Sequence, residues 1–129
     1  MKTSPTQRSL AYLRKQGWQC AVLERWNPHA MIRQDVWGFA DLIACREPVR
    51  YGDTEVKTKL PMTIYTRPAQ IALVQTTTLA HMVERRAKIL AEPRAGVWMR
   101  SGGIILLHGW RKIGKRGKRK LWEVKEEVL

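Results

Sequence analysis

R-Q-D-V-W-G-F-A-D-L-I-A-C-R, residues Arg33 to Arg46, is the segment on which the fold turns. Its second half, Phe39 to Cys45, is almost continuously apolar and of strand length, which suits a strand covered on both faces. One carboxylate, Asp41, interrupts it. An ionised carboxylate inside an apolar strand is costly unless it is paired, hydrogen-bonded or bound to a metal, so a partner is expected to face it. An arginine such as Arg33 or Arg46 would be the simplest one.

Outward from this strand, the chain reads in both directions as alternating elements of one domain over residues 1–129. Upstream, Ser4-Pro5-Thr6-Gln7 opens a helix with agreeing signals: an N-cap serine, a first-turn proline, and a glutamine at the capping-box position. Leu10, Ala11 and Leu13 give it an apolar face, and Gly17 stops it. Trp18 to Trp26 is a first strand, closed by Asn27-Pro28-His29. Gly38 marks a bulge or a close backbone approach within the second strand.

Downstream, residues 48–70 carry scattered prolines and no clear periodicity; a short extra hairpin there is left open. Ile71 to Val74 is a third buried strand ending in Gln75-Thr76-Thr77-Thr78. It passes into a second helix capped by Thr77 or Thr78 and marked by Leu79, Met82, Val83, Ala87 and Leu90. Pro93 to Gly96 is read as its terminator. Ile104 to His108, extended by Gly109-Trp110, is a fourth strand, and Leu121 to Val124 a fifth. The order α-β-β-β-α-β-β implies an α/β domain with a central mixed sheet flanked by two helices.

Side chains alternate along a strand, so Gln75 and Thr77 share a face at the polar end of strand three. They are the candidates to converge on Asp41. Glu24 and Asp35 are possible additional acids. Asp35 lies about 20 Å from Asp41 along a fully extended strand, so sharing a site requires a bend near Gly38. Histidines 29, 81 and 108 are scattered and read as surface or turn residues.

Lysine plus arginine number 24 against 11 acidic residues, a formal charge of +13. Such a surplus on a small domain favours a polyanionic partner, nucleic acid first, with a ribosome-associated role or an anionic membrane surface as alternatives. The segment 111–120 holds seven basic residues in ten: Arg111, Lys112, Lys115, Arg116, Lys118, Arg119 and Lys120. On a hairpin turn it would reach phosphates, as would Arg33. Trp110 and Trp122 flank it and suit either core or base stacking. Cys20 and Cys45 form no C-x-x-C pair, which argues against zinc and disulfides. No run approaches a membrane span, and a cytoplasmic protein of a bacterium or phage-infected cell is expected.

The G-x-x-D-L-I pattern (Gly38, Asp41, Leu42, Ile43) and the V-Q-x-T pattern (Val74, Gln75, Thr77) before a helix resemble the PD-(D/E)XK nuclease superfamily. Small Holliday-junction-resolvase-like and phage-encoded members are the most similar. The resemblance implies a restriction-endonuclease-like fold and a Mg²⁺- or Mn²⁺-dependent endodeoxyribonuclease, acting on branched or duplex DNA as a homodimer. By the same resemblance Asp41 is the main metal ligand, Gln75 a second ligand or water-positioning group, and Thr77 the occupant of the usual lysine position. Gln75 and Thr77 depart from the family's acid and lysine, and Gln7 stands where many members have a helix-one glutamate. The alternative is a degenerate nuclease fold that binds nucleic acid without cutting.

Overall fold

Ser4 accepts a hydrogen bond from the Gln7 amide at 3.2 Å, and Pro5 fills the first helical position of α1 (Pro5–Lys15). Gly17, at φ +88°, provides the left-handed exit that the sequence predicts. A computed structural model of the chain describes residues 3–50, 65–114, 117 and 119–129. After α1 come β1 (Gln19–Val22), β2 (Arg25–Asn27), β3 (Ile32–Gln34), β4 (Leu42–Arg46), β5 (Val49–Arg50), β6 (Tyr65–Arg67) and β7 (Gln70–Thr78). A 3-10 turn (Leu79–His81) then leads into α2 (Met82–Ala91), α3 (Pro93–Arg100), β8 (Ile104–Ile113) and β9 (Leu121–Val128).

The main sheet has the order β1-β4-β7-β8-β9. β1, β4 and β7 form an antiparallel meander, β8 runs parallel to β7, and β9 returns antiparallel to β8. A parallel neighbour requires a crossover, and α2 and α3 supply it. The result is an α/β domain with a mixed central sheet and helices on both faces. Leu10, Leu13 and Trp18 pack with Leu42, Ala44, Ala72, Val74 and Leu106 beneath α1. Met82, Ile89 and Ala95 pack with Phe39, Leu73, Ile105 and Leu107 on the opposite face.

Several expected boundaries shift. The predicted first strand divides into β1 and β2, and the predicted second strand into β3 and β4. β2 and β3 pair only with each other, forming a ribbon separate from the main sheet. The break between β3 and β4 is a turn in which Trp37 and Gly38 both have positive φ, 59° and 79°. Gly38 therefore reverses the chain instead of forming a bulge in a continuous strand. The threonines after Gln75 belong to β7; Thr78 is the N-cap residue of the 3-10 turn that leads into α2, without a side-chain capping hydrogen bond, and α2 itself begins at Met82.

Among the described residues the expected two helices become three. Pro93 does not end the helical region. Glu92 accepts a hydrogen bond from the Arg94 amide and Pro93 occupies the first turn, so the segment starts α3. β5 and β6 form a short antiparallel pair at the base of the connection whose middle, 51–64, lies outside the described residues. No helix among the described residues is long and apolar enough to cross a membrane.

Candidate active site

Asp41 is 3 % exposed, immediately before β4 at the boundary with the apolar interior. Its backbone is fixed on both sides: the Asp41 amide donates to Val74 O at 2.9 Å, and its carbonyl accepts from Leu23 N at 2.8 Å. Three donors converge on Oδ2. They are Gln75 Nε2 at 2.9 Å, the Thr76 amide at 2.7 Å and Thr76 Oγ1 at 3.1 Å. Because Thr76 gives its hydroxyl proton to Asp41, Thr6 must be the donor in the 3.0 Å contact between the two threonine hydroxyls. The first turn of α1 is thereby tied to the strand end that holds the carboxylate.

The Glu24 carboxyl lies within hydrogen-bonding reach of Asp41. Burial, reinforced by that second acid, pushes the Asp41 carboxyl up to about 7, against the opposing effect of the Thr76 hydrogen bonds. Asp35 is also raised, first by burial and further by Glu24, while Lys88 and Arg85 pull it down. All three acids face one cavity of about 620 Å³, whose wall includes Ser4 to Gln7, Arg33, Gln75, Thr76 and Arg85. The positive-φ turn at Trp37 and Gly38 supplies the bend that brings Asp35 to Asp41's side of the molecule.

An arginine is not what answers the charge of Asp41. Arg46 donates to Gln70 Oε1 at 2.6 Å and stacks on Trp18, away from the site. Arg33 and Arg85 stand on the cavity wall, but the hydrogen bonds to Asp41 come from Gln75 and Thr76. Of the expected residues, Asp41, Gln75, Glu24, Asp35 and Arg33 are brought together. Thr77 is not. Thr76 faces α1 through Thr6, so strand alternation turns Thr77 to the other face, where it is buried and absent from the cavity wall. Thr76, which the sequence pattern passed over, holds the position beside the carboxylate.

Gln75 Oε1 is buried and, in a structure of protein atoms alone, has no hydrogen-bond partner. The other end of the same amide, Nε2, is the one that faces Asp41. The carboxylate oxygens of Asp41 and Glu24 are of the kind that suits Mg²⁺ or Mn²⁺, and Gln75 would join them only with its amide turned to present Oε1 in place of Nε2. Among the described residues no three acids, histidines or cysteines are grouped as a metal cluster.

The basic segment is a hairpin connection, since Ile113 pairs with Leu121 across β8 and β9. Arg111 is held by Glu123 at 2.7 Å, while Lys112 lies 5.1 Å from the ring of Trp122. Arg119 and Lys120 are exposed, and Lys115, Arg116 and Lys118 lie outside the described residues. Trp110 is buried and donates to Ser9 Oγ at 2.9 Å, whereas Trp122 is covered by the Arg8 guanidinium at 3.5 Å.

His108 is fully buried, contrary to the surface role expected of it. Its Nδ1 meets Ser9 Oγ at 2.8 Å and its Nε2 meets Glu126 at 2.8 Å. Ser9 accepts from Trp110 and gives its own proton to Nδ1, which leaves Nε2–H to donate to Glu126. With Ser9 also fully buried, the line fastens α1 to β8 and β9 rather than presenting a nucleophile. Set against known proteins, the chain matches no family model, no curated protein and no solved structure.

Proposed function

We propose that this protein is a metal-dependent nuclease that hydrolyses phosphodiester bonds in DNA, branched or otherwise structured, on a restriction-endonuclease-like fold. The observation that carries the proposal is the pairing of Asp41 and Glu24 in a cavity that Asp35, Gln75, Arg33 and Arg85 also line. An antiparallel meander followed by a helical crossover to a parallel fourth strand, with the acid immediately before the second sheet strand, supports the fold assignment.

A bound Mg²⁺ or Mn²⁺ supplies charge neutralisation at the scissile phosphate and lowers the pKa of water. The chain's own residues do the rest. Gln75 and Thr76 fix the Asp41 carboxylate through Oδ2. Arg33 and Arg85 offer positive charge to phosphate oxygens. The surplus of +13 draws the polyanion toward the domain.

The second reading, a degenerate nuclease fold that only binds nucleic acid, draws on the placement of Thr77. The residue at the lysine position is neutral and faces away from the cavity. A cleavage assay on branched, single-stranded and linear duplex DNA with Mg²⁺ and Mn²⁺ separates the two. Cutting by the wild type that is abolished in Asp41→Ala is the expected result. Binding with no cutting under any condition favours the second reading, and cutting that survives Asp41→Ala refutes the site.

A further inference from the structure

The β2–β3 ribbon exposes more apolar surface than a solvated hairpin needs. Trp26 is 56 % exposed, Met31 69 % and Ile32 50 %. The ribbon is nevertheless firmly built. Asn27 Oδ1 accepts from the amides of His29 and Ala30 at 2.9 and 3.1 Å, and its Nδ2 donates to Gln34 across the pair at 3.1 Å. At its base the Leu23 amide is anchored to the Asp41 carbonyl.

Its register decides where the tryptophan points. Trp26 is directly opposite Arg33, and cross-strand partners share a face. Period-two alternation, carried one residue past the start of β2 and the end of β3, extends that face to Glu24 and Asp35. Glu24, Arg33 and Asp35 all line the acid cavity, so Trp26 is the fourth residue of the cavity face, one step farther out. Two residues of strand separate it from Glu24, about 7 Å, or two stacked-nucleotide steps.

We infer that Trp26 is a base-stacking platform for an unpaired nucleotide of the DNA whose phosphate enters the Asp41 cavity, with Arg33 holding the intervening backbone; this rests on the nuclease reading above. An indole stacks on any base but reaches its face only where the base is not already stacked in a duplex. The site therefore selects single-stranded or locally unpaired DNA over blunt duplex. Of the aromatic residues flanking the basic segment, Trp110 is buried, and Trp122, although 41 % exposed, already has one ring face taken by the Arg8 guanidinium.

The test is binding of labelled oligo(dT), oligo(rU), a blunt duplex and a duplex with a short unpaired flap, without divalent metal, by wild type, Trp26→Ala and Trp26→Phe. Trp26→Ala should weaken oligo(dT) and the flap by about 5- to 150-fold, leave the blunt duplex within about two-fold, and keep the salt slope. Trp26→Phe should restore most of the affinity. Equal weakening of single strand and duplex, no weakening at all, or a loss confined to oligo(rU) overturns the inference. Parallel cleavage assays with Mn²⁺ keep the two readings apart. Cutting without a Trp26 effect overturns this inference alone, a Trp26 effect without cutting overturns the nuclease reading alone, and wild type that binds no oligonucleotide overturns both.

Discussion

Replacing Asp41 by asparagine removes a titrating proton while preserving the shape that Gln75 and Thr76 grip. The carboxyl is raised from its ordinary 3.8 to about 7, so its stabilising effect is complete below pH 3.8 and is lost as the pH rises through 7. A shift of that size corresponds to about 4 kcal/mol in total, spent at about 1.4 kcal/mol per pH unit across the window. The substituted asparagine does not titrate, and its amide oxygen accepts the same donors with weaker, uncharged hydrogen bonds. Urea denaturation at pH 4.5 and pH 8 should therefore find Asp41→Asn near parity with wild type in acid. At pH 8 it should be about 2–4 kcal/mol more stable. Millimolar Mn²⁺ should close part of that gap at pH 8 by stabilising only the wild type, about 2.7 kcal/mol at a hundredfold excess over Kd. A stability difference that stays constant from pH 4.5 to pH 8 would refute the account of a buried carboxylate held beside a second acid.

Three other outcomes follow from packing and charge. A Cβ built on Gly109 would sit 2.2 Å from Met82 Sδ and 3.2 Å from Leu79 Cα, so Gly109→Ala should cost about 1–3 kcal/mol in chemical denaturation. A neutral effect would mean that α2 is free to move off β8. Ser9→Ala strands the Trp110 indole N–H and His108 Nδ1 together, at about 1–3 kcal/mol each. A loss below about 1 kcal/mol by the same method would count against the buried line. Neutralising Lys112, Lys115 and Arg116 should flatten the slope of log affinity against log salt by about one for each phosphate left without its cation, on all DNA forms alike. An unchanged slope would remove the β8–β9 connection from the DNA path.

The parts of the fold that were legible in the sequence are those decided by neighbours along the chain. α1 announces itself because Ser4, Pro5 and Gln7 agree, and β7 because Ile71 to Val74 is apolar and β-branched at both ends. α3 was hidden by Pro93, which stops a helix or starts one according to whether the preceding residue caps it; Glu92 does. The turn at Trp37 was hidden because tryptophan carries no signal for a φ of 59°. In the site, Asp41 stood out as a charge in an apolar run, and Gln75 by its place at a strand end. Thr76 was passed over because strand alternation alone says which residues share a face, not which face the first helix covers. His108 was unreadable for a different reason: its partners Ser9 and Glu126 are 99 and 18 residues away.

That separation bears on the order in which the molecule is completed during synthesis. α1 supplies one wall of the acid cavity through Ser4 to Gln7, yet the serine that anchors it is satisfied only by side chains of β8. Those side chains leave the ribosome about a hundred residues later, and Glu126 follows them. A nascent chain that stops short of residue 108 has every acid of the cavity but lacks the latch that holds its first helix in place. The last hold on α1, added to its earlier contact with Thr76, is thus a late, long-range one that depends on nearly the whole chain.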